Sequence, residues 1–201
     1  MPNWCSNEMA VYGPRDELVK FAELIKKARE TARETKHWEL YDVFALAGFD
    51  DEGMDKLGWS RGYFDGDVPE IESKDGTDFI QMSFETAWSP MCEAWDALLR
   101  RRFPNLKQVT CAVESGCDVY VNTDVDGLFF PWTICVDAGY ENSVFGDFYP
   151  DSYNTRADAL HRVNEWLGES FDSLDEAEEY VLADKYGNGD NWFNVHEFHS
   201  Y

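Results

Sequence analysis

The segment from residue 122 to residue 127 contains oxygen ligands at a spacing that could bind calcium. Asn122, Asp124 and Asp126 stand at alternate positions and Gly127 follows them, as in the first half of a calcium-binding loop. Thr133, however, stands where that loop needs a bidentate glutamate. Asp-Gly is also a favoured two-residue hairpin turn. We therefore interpret the segment as a hairpin turn that binds no metal.

Two residue pairs could bind zinc or undergo redox chemistry. His196 and His199 are three residues apart, and in the strand that we expect there they would face opposite sides. Cys111 and Cys117 could form a redox pair, but the five cysteines contain no C-x-x-C motif and we interpret them as free thiols. Serine-hydrolase, phosphate-loop and zinc-protease motifs are absent. We therefore predict a protein that is not an enzyme and carries no metal or cofactor.

The main compositional feature is a net charge of −23, and it is distributed unevenly. Residues 1–38 carry a net charge of +1 and residues 76–107 are neutral, whereas residues 39–75 carry −8. Residues 108–201 hold three basic and nineteen acidic side chains, a net charge of −16. Such a field repels nucleic acid and membrane surfaces and attracts basic proteins. The basic cluster Arg100–Arg102 is interpreted as a helix end, where cations offset the dipole.

The acidic half also contains many aromatic residues, which favours an interaction surface. Rows of carboxylates can imitate the phosphates of DNA, and aromatic side chains supply desolvated anchors. The residues that we expect to contact a partner are Asp147, Asp151, Asp172, Asp175, Glu176, Glu178 and Glu179. The alternative is an acidic surface that only keeps the protein in solution.

The elements predicted in the first half alternate between strands and helices. Period-2 and period-3.6 patterns predict strands at 4–12, 38–46, 78–84 and 107–113, helices at 16–35 and from Ser89 to Phe103, and a long acidic loop at 48–77. The order β-α-β-β-α-β is that of a ferredoxin-like unit. We therefore predict an α+β protein whose first domain, residues 1–115, is ferredoxin-like with the acidic loop inserted.

The second half, residues 116–201, is predicted to be an acidic α/β elaboration that packs on the first. We expect a hairpin formed by 117–124 and 128–136 around the Asp126-Gly127 turn. Helices are expected at 155–167 and 174–185, the second with Ser173 as N-cap, and a strand at 191–199.

Two sequence motifs in the first half of the chain carry a family resemblance. Met-Pro-Asn-Trp-Cys-Ser-Asn opens the chain at 1–7, and Phe-Glu-Thr-Ala-Trp-Ser-Pro occupies 84–90, with Phe-Pro-Asn-Leu following at 103–106. In these motifs the chain resembles the YubB ferredoxin-like family of plasmid and phage proteins, over roughly its first 115 residues. The resemblance implies a ferredoxin-like fold on a mobile element, no cofactor and no settled activity. It singles out Trp4, Cys5, Asn7, Trp88 and Pro90.

These observations support one functional hypothesis and two alternatives. The hypothesis is a phage or plasmid accessory protein, cytoplasmic in the host cell, that binds and inhibits a basic, nucleic-acid-handling defence protein through a DNA-mimic-like surface. Restriction and CRISPR systems are the expected target class, and no direct contact with nucleic acid or membrane is expected. One alternative is a small-molecule or nucleotide pocket near Trp4, Asn7 and Trp88; otherwise we expect both tryptophans in the core, with Asn7 holding a turn. The other is a self-assembling structural protein, with a homodimer left open.

Overall fold

The chain is α+β and divides into two compact units, residues 1–123 and residues 124–201, which we call the first and second units. The computed structural model describes residues 3–31, 39–57, 61–64, 68–114, 116, 119–131, 133–140, 148–183 and 191–198. These residues form six helices and two antiparallel sheets. The sequence placed its domain boundary at residue 115, whereas the strand Val119–Asn122 belongs to the sheet of the first unit.

The first unit is a sheet of antiparallel strands with helices between them. Its elements are β1 Trp4–Tyr12, α1 Arg15–Thr31, α2 Leu40–Leu46, α3 Asp51–Asp55, β2 Gly62–Phe64, β3 Glu72–Lys74, β4 Thr77–Ala87, α4 Cys92–Arg102, β5 Lys107–Glu114 and β6 Val119–Asn122. The sheet order is β2-β4-β1-β5-β6, and β3 also pairs with β4. The long strands β1 and β4 pair over nine residues, from Trp4 with Ala87 to Tyr12 with Phe79.

Trp95 on α4 is the centre of the core of the first unit. Its ring is completely buried and lies 5.0 Å from the ring of Phe44 on α2 and 5.7 Å from that of Phe84 on β4. Phe21 on α1 and Phe64 on β2 complete the cluster at 6.5 and 6.3 Å. Aromatic pairs at these distances stabilise a core beyond their buried area. Trp95 therefore joins three helices to the sheet.

The strand predicted at 38–46 is wrong, because residues 40–46 form the helix α2. Its buried residues Leu40, Val43 and Phe44 follow helical spacing, and packing against Trp95 outweighs the β propensity of the aromatic residues.

The loop predicted at 48–77 is also wrong in part, because it contains α3, β2 and β3. Asp75 and Gly76 join β3 to β4, both with positive φ, as a two-residue hairpin turn requires. Three-residue strands such as β2 and β3 are too short to produce a clear alternation.

Two further predictions in the first unit need correction. Helix α4 begins at Cys92 with Met91 as N-cap, not at the predicted Ser89, because Ser89 forms a turn in which its carbonyl accepts the hydroxyl of Thr86. The hairpin predicted around Asp126-Gly127 is wrong as well. Strand β6 pairs with β5, and the next described strand belongs to the other sheet.

The second unit consists of a three-stranded sheet and two helices. Its elements are β7 Thr133–Gly139, β8 Phe148–Tyr153, α5 Arg156–Leu167, α6 Leu174–Ala183 and β9 Trp192–Phe198. The sheet order is β8-β7-β9, and the core contains Val136, Val163 and Trp166. Both predicted helices and the predicted final strand are confirmed, whereas β8 was not predicted. Helix α5 has Thr155 as N-cap and ends at Gly168 in the left-handed region.

Candidate functional site

The acidic residues predicted to bind a partner lie mostly on or beside α6. The hydroxyl oxygen of Ser173 accepts a hydrogen bond from the amide of Glu176 at 3.1 Å, so the predicted N-cap is confirmed. Carboxylates in the first turn stabilise the helix dipole. Three apolar residues of α6 pack in the core of the second unit: Leu174, Ala177 and Val181. The carboxylates are therefore held on the outer side of a packed helix.

Five of the seven predicted carboxylates lie within eight consecutive positions, one just before α6 and four on it, and we call this set the acidic face. Its members are Asp172, Asp175, Glu176, Glu178 and Glu179. Glu178 is half-buried and the other four are exposed. Because α6 packs in the core through its apolar side, Asp175, Glu176 and Glu179 lie away from the core, whereas Glu178 lies at the edge of the packed side.

One cation of the second unit contacts the acidic face. Arg156 on α5 donates to the carboxylate of Asp175 at 2.9 Å and also to Glu197 on β9. Glu176 accepts a hydrogen bond from the backbone amide of Asp172 at 3.0 Å, which stabilises the start of α6. Within the described residues, no basic group lies within 4 Å of Asp172, Glu178 or Glu179. Of these three, Asp172 and Glu179 are exposed and are therefore the most available to a partner.

Two of the predicted residues are not placed on the acidic face. Asp147 lies outside the described residues. Asp151 belongs to β8, where its backbone stands opposite Val136 of β7. The placement of these two side chains relative to α6 stays a prediction.

Two of the candidate calcium ligands of residues 122–127, Asn122 and Asp124, are buried. One carboxylate oxygen of Asp124 accepts hydrogen bonds from the amides of Phe129 and Phe130, at 2.6 and 2.8 Å. Asn122 is a buried residue of β6. Asp124 therefore closes the connection that leads out of β6.

The histidine and cysteine pairs are only half described, since His199 and Cys117 lie outside the described residues. The imidazole Nε2 of His196 lies 3.7 Å from the carboxylate of Asp137, a neighbour on the same face of the sheet. Cys111 is a half-buried cysteine on β5. Over the described ranges, no group of three or more His, Cys, Asp or Glu side chains has the arrangement of a metal site.

Asn7, a residue of the opening motif, joins β1 to β4 by a buried hydrogen-bond network. Its amide nitrogen donates to the carbonyls of Cys5 and Phe84 at 2.7 and 3.2 Å, and to the hydroxyl of Thr86 at 2.9 Å. Its amide oxygen is buried and has no hydrogen-bond partner among the described residues. Asn7 therefore holds two strands together, rather than the turn that the sequence suggested.

Trp4 and Trp88, the two motif tryptophans, lie at the surface, so their predicted place in the core is wrong. Their exposed fractions are 39% and 51%. Trp4 packs edge-on against Tyr63 at 4.9 Å, and the guanidinium of Arg61 lies over its ring at 5.9 Å. Trp88 has φ of 75°, a left-handed conformation that costs a non-glycine residue about 1–2 kcal/mol. The amide of Trp88 donates to the carbonyl of Asn3, which holds it there.

Cys5 lies beside this network, in surroundings that disfavour its thiolate form. Burial raises the pKa of its thiol from the ordinary value of 9.0 to about 12, and the carboxylates of Glu114 and Glu85 act in the same direction. The hydrogen bond with Thr86 lowers the pKa of the thiol, but by less than burial raises it. Since the thiolate is the reactive form, Cys5 is a buried structural thiol.

Pro90 is half-buried in the turn before α4. Three residues that lie near Trp4, Cys5 and Asn7 were not singled out from the sequence. They are Arg61, Thr86 and Glu114. Glu114 is buried, with one oxygen bonded to the amide of Gly116 and the other without a described partner. Thr86 and Glu114 stand on buried positions of their strands, so strand alternation was the signal that could have found them.

A comparison of the chain with protein-family models, curated proteins and solved structures finds no match. The resemblance to the YubB family therefore rests on the two sequence motifs. Among the described helices, none has the length and apolar character needed to cross a membrane.

Proposed function

We propose that the chain is a phage or plasmid accessory protein that binds a basic, nucleic-acid-handling defence protein in the host cytoplasm and inhibits it. The acidic face of α6 would occupy the groove where the target normally holds nucleic acid. The observation that carries the proposal is the presence of five carboxylates within eight positions at the start and on the solvent side of one packed helix, with Arg156 as the described cation beside them.

The charge spacing of the acidic face supports imitation of a nucleic acid. The four carboxylates of the face that belong to α6 extend from residue 175 to residue 179, about 6 Å along a helix at about 1.5 Å per residue. Four carboxylates over this length give roughly one charge per 1.5 Å, compared with about one per 1.7 Å of duplex DNA. Such a surface attracts a basic groove strongly at low salt and weakly at high salt.

We further propose that the first unit is ferredoxin-like, as the YubB resemblance implies. The support is the sheet order β2-β4-β1-β5 with all neighbours antiparallel, and the helices α1 and α4 that connect β1 to the β2 region and β4 to β5. On this proposal the first unit is the scaffold shared with the family, and the acidic second unit is the part that sets the target.

Two triple charge-reversal variants, one on the acidic face and one control, test this proposal. Asp172→Lys, Glu178→Lys and Glu179→Lys together change the charge of the face by six units, because each substitution replaces a negative charge with a positive one. The matched control, Asp55→Lys, Glu70→Lys and Glu72→Lys, makes the same change on the first unit. Each purified chain is used to capture proteins from a bacterial lysate. We expect one nucleic-acid enzyme to be retained by the wild type and the control, lost by the acidic-face variant, and displaced by duplex DNA.

Three outcomes would contradict this proposal. One is a captured protein that DNA does not displace. Another is equal loss of binding in both triple variants, which would mean that only the total charge matters. The third is a large homo-oligomer in light scattering with no captured enzyme, which would favour a self-assembling structural protein.

A second candidate function is supported by the motif residues of the first unit. Trp88 holds a left-handed backbone while exposing half of its ring, and strained residues at a surface are often functional. The buried amide oxygen of Asn7 and the exposed ring of Trp4 belong to the same pair of strands. We propose as the alternative a nucleotide or small aromatic ligand that stacks on Trp4 or Trp88. A saturable change in tryptophan fluorescence with nucleotides, abolished in Trp88→Ala, would favour it over the acidic face.

A further inference from the structure

A groove of about 370 Å³ lies in the first unit, between α1 and the end of α4. Its size is within the range of about 300–1,000 Å³ that is usual for small-ligand pockets. The floor is apolar and consists of Leu24, Leu46 and Phe103, of which Leu24 and Phe103 are also part of the buried core. A ligand in the groove would therefore cover apolar surface as well as meet the charged rim.

The rim of this groove carries three cations in a chain that is otherwise strongly acidic. Lys20 and Lys27 stand seven residues apart on α1, about two helical turns, so both point to the same side. Arg102, from the last turn of α4, completes the rim. Helices α1 and α4 together carry eight of the 17 basic residues of the chain. The groove is therefore a local positive site on a negative protein.

The three cations are only weakly engaged by their neighbours. Lys20 lies 3.9 Å from Asp16, both exposed, and a contact of that kind contributes little. Arg102 donates one hydrogen bond of 3.4 Å to the carbonyl of Ala47, which leaves most of its guanidinium donors available. No carboxylate in the described ranges lies within 4 Å of the ammonium of Lys27. An anion entering the groove would thus meet available donors.

Glu23 limits the charge that the groove can accept. It stands on the rim between Lys20 and Lys27, so three cations and one carboxylate leave a formal charge of +2. A phosphate monoester carries about −1.5 to −2 at neutral pH and has three acceptor oxygens. A polyanion would be repelled by the remaining charge of the chain, which is −23 overall.

We propose that this groove binds a small organic phosphate monoester with an aromatic or aliphatic body. The phosphate is held by Lys20, Lys27 and the guanidinium of Arg102, because arginine presents paired donors that match phosphate oxygens. The apolar body lies on Leu24, Leu46 and Phe103. This site is separate from the acidic face and does not depend on the function proposed for it.

Phenyl phosphate is the probe that tests this proposal. Inorganic phosphate and benzyl alcohol are tested separately, because each resembles only one part of the probe. Titration of the full chain, followed by calorimetry and by amide chemical shifts, is expected to give saturable binding of phenyl phosphate, with shifts around Lys20, Lys27 and Arg102. Inorganic phosphate and benzyl alcohol are each expected to bind at least about tenfold more weakly, because each makes only one of the two kinds of contact.

Two charge reversals on α1 provide the matched comparison. Lys27→Glu changes a rim residue, whereas Lys26→Glu makes the same change at the next position, an exposed residue outside the groove. We expect Lys27→Glu to weaken phenyl phosphate binding about tenfold or more and Lys26→Glu to leave it within about twofold. Both residues are exposed, so circular dichroism should confirm an unchanged fold. Equal weakening in both variants, equal affinity for inorganic phosphate, or no saturable binding would overturn the proposal.

Discussion

Helices α1 and α6 are built in the same way but carry different charges, since α1 has five basic and four acidic residues and α6 has four acidic residues and no basic one. Each packs on its own sheet through an apolar side, and each leaves charged residues on the outer side. Helix α1 presents the cations of the groove rim, whereas α6 presents the carboxylates of the acidic face. The charge of an outer side is thus set independently of the packing beneath it. The net charge of −23 is a sum over the whole chain and does not give the local charge of either surface, so each surface must be tested by itself.

The largest effects that we expect come from truncating the cores of the two units. If the cores are comparable, truncation should lower the free energy of unfolding substantially in both. Trp95→Ala should lower the free energy of unfolding by about 4–5 kcal/mol, because it removes a buried ring that contacts several others. Trp166→Ala should cost about 3 kcal/mol, since that ring has a smaller aromatic cluster around it. Urea denaturation of both variants measures this. An unchanged midpoint for either variant would contradict the core described for that unit.

The first unit also depends on a buried polar group. Asn7→Ala removes the donor for two buried carbonyls and one hydroxyl, so it should lower the free energy of unfolding by about 2–3 kcal/mol. Thr86→Val keeps the shape of its side chain and should cost about 1 kcal/mol. Both are measured by urea denaturation. If Asn7→Ala were neutral, the network would not hold β1 to β4.

Because of Cys5, the free energy of unfolding of the first unit should depend on pH in the alkaline range. The folded state keeps the thiol proton up to a pKa of about 12, whereas in the unfolded chain the proton is lost near 9.0. Between these values the folded state binds more protons, so the free energy of unfolding falls as the pH rises. Cys5→Ala lacks this contribution and should show a flatter profile. Urea midpoints across this pH window check the prediction, and identical slopes would contradict it.

The smallest effect concerns the cation next to the acidic face. Arg156→Met removes exposed ion pairs with Asp175 and Glu197, and such pairs typically contribute about 0.5 kcal/mol. The stability should therefore change little, while the acidic face loses its described cation and becomes more negative. We expect tighter binding of the captured basic enzyme at low salt. Weaker binding would mean that Arg156 itself contacts the partner.

Local signals in the sequence were enough to predict part of the fold. The two helices of the second unit were found because their apolar spacing and their caps, such as Ser173, depend on neighbouring residues alone. At Asp126-Gly127 the chain does turn, with the amide of Gly127 donating to the carbonyl of Asp124, but the predicted hairpin is wrong. Asp75-Gly76 forms a hairpin, whereas after Asp126-Gly127 the side chain of Asp124 bonds to the amides of Phe129 and Phe130 and leads the chain away.

The candidate sites were predictable to different degrees. The acidic face was found because five of its members lie within eight consecutive positions, so that one helix brings them together. The basic groove was not found, because its rim and floor join residues near positions 20–27, 46 and 102–103 that meet only in the folded unit. The exposed Trp88 has a left-handed backbone, which the sequence does not predict because a positive φ is uncommon for a residue other than glycine.

The most direct test of the acidic face is the salt dependence of binding to the captured enzyme. The logarithm of the dissociation constant is measured against the logarithm of salt concentration for the wild type and for both triple lysine variants. If binding is carried by local charge on α6, the slope should fall strongly when Asp172, Glu178 and Glu179 are reversed and stay close to the wild-type value when Asp55, Glu70 and Glu72 are reversed. Equal slopes for the two triple variants would contradict the account.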